Sequence, residues 1–261
     1  MILLDSKKRL ATLLIVLIFG IIIFILDLGT TGLVDETPPL FAAAARAMSE
    51  SGDWLTPKVN GIFRFDKPPL IYWLMGFFYS LPKIEIWDSL GTLSARLPSS
   101  LGSLFLMLMI ADTLFCWPQK DDKQFLTPIV GSLGFALSPL IIIWSRTAVS
   151  DALLTGTLGI SLLLFWRRMA SENNDKCISA WAFLGFAILT KGPVAFVLAT
   201  LTITFFLIIQ KDWRSLLYKI NPKKGLLITI LISVPWYLLE LLKEGKPFWD
   251  NFFGYLSLIH I

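Results

Sequence analysis

A succession of long apolar runs constrains this sequence more than any other feature. The first run, residues 10–28, is 19 residues long and contains one charge, Asp27, near its end. At about 1.5 Å of rise per residue, a helix of this length crosses a hydrocarbon core of roughly 30 Å. Six comparable runs follow, at 97–117, 125–144, 152–166, 178–189, 194–209 and 226–242. With 55% hydrophobic residues and a mean hydropathy of +0.70, the chain is predicted to be an all-α, polytopic integral membrane protein.

The basic residues predict how the chain is threaded through the membrane. They cluster before or between apolar runs, at residues 7–9, 120–123, 167–168 and 211–224. One further apolar run, 68–81, is short and begins with two prolines. If this run does not cross, every basic cluster lies on the cytoplasmic side, as the positive-inside rule requires. We therefore predict about seven crossings, with 68–81 as a re-entrant or interfacial helix on the outer face.

The net charge of +4 follows from this topology, so the sequence predicts a lipid bilayer and no nucleic acid as a partner. The longest polar stretch, residues 28–72, becomes the first outer loop. Within it, Thr37 is suited to cap a helix whose first turn contains Pro38 and Pro39, and Gly52 is suited to end that helix. The loop is therefore predicted to contain short interfacial helices.

The predicted topology also gathers charged residues at the outer face. They are Asp35, Glu36, Asp66, Lys67, Asp151 and Lys191. Carboxylates can act as general bases or hold a divalent cation, and lysines can bind a phosphate. These residues are our candidates for a functional site.

Each candidate also has a purely structural interpretation, which the sequence leaves open. Asp35 and Glu36 are suited to stabilise a helix N-terminus through its dipole, and Asp66 with Lys67 is suited to form a surface ion pair of little energetic value. Asp151, in SRTAVSDALL, is equally suited to cap the helix that follows it.

Lys191, in LTKGPVAF, is the most informative of these residues. It interrupts apolar sequence, where a charge at the bilayer centre costs about 2.5–3.5 kcal/mol. One interpretation is a lysine that extends its ammonium to the membrane surface. The other is a short helix that ends at Lys191 and leaves it in a water-filled cavity, where it can bind an anion.

The sequence argues against several other kinds of site. It has one histidine, His260, and two widely separated cysteines, Cys116 and Cys177, so it contains no zinc-binding pattern. It contains neither a phosphate-binding loop nor a G-x-S-x-G nucleophile motif. Carboxylates and lysines at a membrane face remain as the chemistry to explain.

The stretch DETPPLFAAAARAMSESGDWLTPKVNGIFRFDKPPLIYWL resembles the first outer loop of the polyprenyl-phosphate-dependent glycosyltransferases of the GT-C fold. That family includes the protein O-mannosyltransferases and the lipid A aminoarabinose transferases. The resemblance continues through SARLPS, SRTAVSDALL, LTKGPVAF and VPWYLL, and so covers nearly the whole chain. The ordered set of motifs is much more specific than any one of them.

The resemblance implies a transmembrane helix bundle of the GT-C type with a large first extracytoplasmic loop. It implies transfer of a sugar from a polyprenyl-phosphate donor to a lipid or protein acceptor, at the outer face of a bacterial inner membrane. Asp35 matches the family's catalytic carboxylate, with Glu36 beside it. Asp66, Lys67 and Asp151 match residues that line the same cavity.

Lys191 is a second candidate for binding the donor phosphate. A divalent metal ion held by Asp35, Asp66 and Asp151 is left open. The sequence departs from the lipid A aminoarabinose transferases at Pro38, where they have an arginine. Family members are also longer, so we expect residues 1–255 to be an N-terminal transmembrane region and 256–261 to be a non-native tail. A transporter or flippase of lipid-linked sugar is the alternative function, although the sequence has no internal repeat.

Overall fold

The computed structural model describes residues 2–82, 88, 90–117, 125–170, 177–210 and 213–255 of the chain. The predicted tail 256–261, the basic segment 120–123 and Lys211 lie outside these ranges. Within them the regular secondary structure is helical, as the sequence predicts, except for one short hairpin. The helices are α1 (Ile2–Phe24), α2 (Thr37–Ser51), α3 (Leu70–Ser80), α4 (Leu93–Cys116), α5 (Leu126–Ala136), α6 (Pro139–Ser145), α7 (Ser150–Ala170), α8 (Ile178–Lys191), α9 (Pro193–Ile209), α10 (Trp213–Ile220), α11 (Pro222–Glu244) and α12 (Lys246–Trp249). The hairpin pairs β1 (Lys58–Val59) with β2 (Ile62–Phe63), and a π-helical turn covers Asp250–Tyr255.

Every predicted crossing coincides with a helix or a helix pair. Among the described residues, α4 and α11 are individually long and apolar enough to span a membrane, and the bent pair α5 and α6 adds a third candidate span. The apolar helices α3, α8 and α9 are shorter. The structure agrees with the predicted helix positions, and the number of crossings stays a prediction.

The run 125–144 is not the single straight helix that its apolar length suggests. It is broken between α5 and α6, and the two helices differ in direction by 68°. Pro139 begins α6, and the preceding Ser138 has an extended backbone with ψ 126°. A proline disfavours the helical conformation of the residue before it, which explains the break.

Ion pairs at one end of the bundle show how three helices are oriented. Asp112, near the C-terminus of α4, accepts hydrogen bonds from Arg9 of α1 at 2.6 Å and from Arg167 of α7 at 2.7 Å. We call this end, where α1 begins and α4 and α7 finish, the basic end. The opposite end carries the long loop after α1, and we call it the loop end. The helix α1 therefore runs antiparallel to α4 and α7, which agrees with the predicted threading.

Small residues bring α4 and α7 into direct backbone contact. A Cβ atom added at Gly156 of α7 would lie 2.5 Å from the carbonyl oxygen of Gly102 of α4. Nearby, the Ser99 hydroxyl donates to the carbonyl of Val149 at 2.7 Å. Glycine and serine at a helix interface permit this close approach in membrane proteins. The contact fixes the start of α7, and with it Asp151, against α4.

We predict that Gly156→Ala destabilises the bundle by about 1–3 kcal/mol, because the new methyl group overlaps the α4 backbone. Gly134→Ala in α5 is the matched control, since a Cβ there meets nothing within 4 Å. Thermal unfolding in detergent measures both. Equal melting temperatures for wild type and Gly156→Ala would contradict the close α4–α7 contact.

Candidate active site

The loop after α1 is held in place by a buried arginine. Arg96, in the first turns of α4, donates from its Nη1 to the carbonyls of Leu28 at 2.7 Å and Thr31 at 2.8 Å, and from its Nη2 to the carbonyl of Gly32 at 2.7 Å. These carbonyls belong to the irregular segment that follows α1 and leads to Asp35. The arginine of the SARLPS motif therefore sets the position from which the first outer loop starts.

A second arginine holds the end of α1 itself. Arg146, between α6 and α7, donates to the carbonyls of Ile23 at 3.0 Å and Leu26 at 2.8 Å. The last carbonyls of a helix have no partner within the helix, so an arginine that reaches them satisfies groups that would otherwise be unpaired. Arg146 belongs to the SRTAVSDALL motif, which also carries Asp151.

Asp35 and Glu36 lie at the entrance of α2. Both residues are exposed, and Asp35 has a left-handed backbone with φ 76°. Its Oδ1 accepts a hydrogen bond from the backbone N–H of Glu36 at 2.7 Å. A non-glycine residue in this region of backbone space is uncommon, although Asp tolerates it better than most. The turn fixes how the Asp35 carboxylate is presented.

The structure corrects the predicted start of this helix. Thr37 is the first residue of α2, and Glu36 takes the capping position without a side-chain hydrogen bond to the helix. Thr37 is therefore not the cap, although Pro38 does lie in the first turn. The predicted end is confirmed, because Gly52 has φ 74° and its N–H donates to the carbonyl of Met48.

Asp66 forms its ion pair with Arg64, a residue that the sequence analysis did not single out. The Arg64 Nη2 lies 2.9 Å from Asp66 Oδ2, and its Nε donates to the Tyr72 hydroxyl at 3.2 Å. The same guanidinium covers the Phe41 ring, 5.2 Å from its centroid. Asp66 and Lys67 are therefore not partners of each other, contrary to the surface ion pair considered from sequence.

Lys191 and Asp151 are brought together from positions 40 residues apart. The Lys191 Nζ lies 2.5 Å from Asp151 Oδ1. Asp151 is inside the first turn of α7, which begins at Ser150, so it does not hold the capping position that the sequence left open. The helix α8 ends at Lys191, as predicted, because Gly192 follows with φ 82° and Pro193 begins α9.

Lys67 lies close to this ion pair. It is half-buried, and burial lowers the pKa of its ammonium. The nearby Lys191 ammonium lowers this pKa further, whereas Asp66 and Asp151 act in the opposite direction. A Cβ atom on Gly192 would lie 3.9 Å from Pro68, so the two lysine-bearing segments are neighbours.

These side chains form one group, which we call the charged cluster: Arg64, Asp66, Lys67, Asp151 and Lys191. It contains three cations and two carboxylates, and each carboxylate is paired with a cation other than Lys67. Among the described residues, Lys67 forms no salt bridge. A half-buried ammonium that forms no salt bridge, in a cluster with one more cation than carboxylates, favours binding of an anionic group.

The arrangement does not suit a divalent cation. In the part of the chain that the structure describes, no three Asp, Glu, His or Cys side chains are close enough together to hold a metal ion. Asp66 and Asp151 are instead neutralised by Arg64 and Lys191. The metal site of Asp35, Asp66 and Asp151 considered from sequence does not fit these residues.

Asp35 and Glu36 are connected to the charged cluster through α2. Phe41, under the Arg64 guanidinium, follows Asp35 by six residues. α2 begins at Thr37, so a helical rise of about 6 Å separates its first residue from Phe41. Four of the six candidates thus lie in the charged cluster, and the other two, Asp35 and Glu36, lie just before the start of α2.

A second set of contacts fastens the loop to α11. Partial burial would raise the pKa of Asp53, but hydrogen bonds from Lys243 and Lys58 outweigh it and lower that pKa to about 2. The Thr56 hydroxyl donates to the buried Glu240 at 3.2 Å. No local sequence pattern predicts these contacts, because their partners lie up to 190 residues apart. They hold the segment that precedes Arg64 and Asp66.

Comparisons with known proteins agree with this architecture. A model of the dolichyl-phosphate-mannose-protein mannosyltransferase family matches residues 66–238. An uncharacterized protein of Aquifex aeolicus is 26% identical over 239 residues, which cover 92% of this chain and 46% of that protein. The undecaprenyl phosphate-alpha-4-amino-4-deoxy-L-arabinose arabinosyl transferase 2 of Pseudomonas fluorescens is 27% identical over 257 residues, which cover 95% of this chain and 43% of that protein.

Solved structures extend the comparison to the fold. Crystal structures of ArnT from Cupriavidus metallidurans, in the apo state and bound to undecaprenyl phosphate, each superpose with a TM-score of 0.79 at 23% identity. The superposition covers 92% of this chain and 43% of ArnT. The chain spans less than half the length of these relatives. Its fold is the transmembrane helix bundle of the GT-C type, and the protein is an integral membrane protein that belongs to the dolichyl-phosphate-mannose-protein mannosyltransferase family.

Proposed function

We propose that this protein is a glycosyltransferase that moves a sugar from a polyprenyl-phosphate donor to a lipid or protein acceptor. The observation that carries the proposal is Lys67, a half-buried ammonium beside Lys191 that forms no salt bridge among the described residues. A donor phosphate supplies the anion that this arrangement lacks. Two findings support this class of donor. A relative is named as an undecaprenyl phosphate-alpha-4-amino-4-deoxy-L-arabinose arabinosyl transferase, and one crystal structure of ArnT is bound to undecaprenyl phosphate.

We propose that the site faces the extracytoplasmic side of a bacterial inner membrane. The charged cluster lies at the loop end, whereas Arg9 and Arg167 lie at the basic end. Basic segments are retained on the cytoplasmic side of a membrane. The loop end is then periplasmic, where a lipid-linked donor requires no nucleotide.

Lys67 and Lys191 bind the donor phosphate and stabilise it as it leaves. Asp151 orients Lys191 through their 2.5 Å contact. The pair of Arg64 with Asp66 orients the backbone that carries Lys67. Fixed cations in a site of low dielectric constant stabilise developing charge much more strongly than they do in water.

Asp35 accepts the proton of the acceptor hydroxyl, with the adjacent Glu36 in a supporting role. The hydroxyl oxygen forms a new bond to the anomeric carbon of the sugar. The bond from that carbon to the phosphate oxygen breaks on the opposite face, so the configuration is inverted. The lipid phosphate leaves with the electron pair of the broken bond.

We predict that Lys67→Ala slows donor consumption by about 100-fold, because it removes a charge that acts most strongly on the leaving phosphate. Lys67→Arg retains part of the activity, since its charge is kept but its geometry differs. Lys246→Ala is the matched control, an exposed lysine of α12 outside the charged cluster. The measurement is release of polyprenyl phosphate from a radiolabelled donor, which a transporter or flippase would move without cleaving.

A second measurement determines how strongly polyprenyl phosphate binds to the purified chain for each of these variants. Lys67→Ala is expected to weaken it and Lys246→Ala to leave it unchanged. Unaltered binding and unaltered donor consumption in Lys67→Ala would overturn the assignment of Lys67 and leave Lys191 as the better candidate for phosphate binding.

We predict a different result for Asp35→Asn. This change keeps the shape of the side chain but removes the base, so transfer falls by at least about 100-fold while polyprenyl phosphate still binds. Glu36→Gln, the neighbouring control, loses less. Both are measured in membranes in which the wild-type protein transfers sugar, and wild-type turnover in Asp35→Asn would exclude Asp35 as the base.

A further inference from the structure

A cavity of about 1040 Å³ lies at the basic end, at the ends of α7 and α8 that are opposite to the charged cluster. The ends of α7 and α8, the helix α10 and the start of α11 surround it. Basic side chains contributed by three of these helices line it: Arg168, Arg214, Lys219, Lys223 and Lys224. None of the described residues that line it is acidic. The cavity therefore has a strongly positive wall that the transfer reaction does not use.

Hydrogen bonds and close packing connect the helices around this cavity. The Trp181 indole lies against the α11 backbone, where a Cβ on Gly225 would approach it to 2.0 Å. Its Nε1 donates to the carbonyl of Ile220, the last residue of α10, at 2.8 Å. The Lys219 ammonium donates to the carbonyl of Met169 at 3.1 Å. These contacts tie α7, α8, α10 and α11 together around the cavity.

The remaining wall is apolar and partly exposed. It includes Ile178, Leu217, Leu227 and Ile228. The Leu227 side chain is 57% exposed although it belongs to a membrane-spanning helix. Its surroundings in the membrane are then lipid chains, directly beside the lysines at the start of α11.

We propose that this cavity binds the phosphate headgroup of an anionic phospholipid in the leaflet at the basic end. Basic pockets between transmembrane helices at the cytoplasmic surface have the chemistry to bind such headgroups. The cations are placed to contact the phosphate, and the apolar wall is placed to contact the first carbons of the acyl chains. A soluble phosphate would make no use of that apolar wall. The proposal is independent of the transferase function.

The test compares lipid binding to two variants of the purified chain in detergent, by native mass spectrometry. Lys223→Gln with Lys224→Gln removes two exposed lysines from the cavity. Lys7→Gln with Lys8→Gln removes the same charge from the same end of the bundle, outside the cavity. Each cation near an anionic headgroup contributes about fivefold in affinity, so the cavity variant binds phosphatidylglycerol about 30-fold more weakly. The control binds it as wild type does.

Three further measurements distinguish binding of an anionic lipid in this cavity from the alternatives: the Arg214→Gln variant, phosphatidylcholine and competition by inorganic phosphate. Arg214→Gln, from a different helix, is expected to weaken phosphatidylglycerol about fivefold, which guards against a folding defect in the double variant. Phosphatidylcholine, which has no net charge, binds all variants equally weakly. Equal losses in the cavity variant and the control would show attraction to charge in general, and displacement of the lipid by millimolar inorganic phosphate would show a soluble phosphate site. Either result overturns the proposal.

Discussion

The hydrogen bonds from Arg96 and Arg146 to the carbonyls at the end of α1 are the constraint on which the site depends. Unpaired carbonyls near a membrane cost several kcal/mol each, so this irregular segment requires donors at fixed positions. The two arginines supply them from α4 and from the segment between α6 and α7. They thereby determine where the loop leaves the bundle, as far as Gly32. A charge buried for structural reasons thus positions the segment that leads to the residue proposed to act as the base.

The charged cluster follows from a second constraint, the early end of α8. Because Gly192 breaks the helix and Pro193 begins the next one, Lys191 is left at the loop end, where it pairs with Asp151. Asp66 pairs with Arg64, so both carboxylates of the charged cluster already have a cationic partner. Lys67 is left beside another ammonium, which is an unfavourable arrangement until an anion binds. The charged cluster thus has an excess of positive charge where the proposed donor phosphate supplies negative charge.

Much of this fold could be predicted from the sequence, because apolar length and the distribution of basic residues are local signals. The end of α8 at Lys191 was predictable for the same reason, and so was the end of α2 at Gly52. The break at Pro139 and the Asn60-Gly61 hairpin, with φ 52° and 80°, also had local signals, and the prediction did not use them. The role of Arg64 was not predictable, because it depends on contacts with Tyr72 and Asp66 that only the hairpin and the start of α3 bring together.

The central claim is that the Lys67 ammonium, which forms no salt bridge among the described residues, binds a lipid phosphate. Its most direct test is the pKa of Lys67, measured by NMR on lysines carrying ¹³C-methyl groups, with the signal assigned by its loss in Lys67→Arg. We expect a pKa below the ordinary value of 10.5 in the free protein, because burial and Lys191 disfavour the charged form. Polyprenyl phosphate should raise it, since a bound anion favours that form. A Lys67 pKa that is normal in the free protein and unchanged by polyprenyl phosphate would contradict the account.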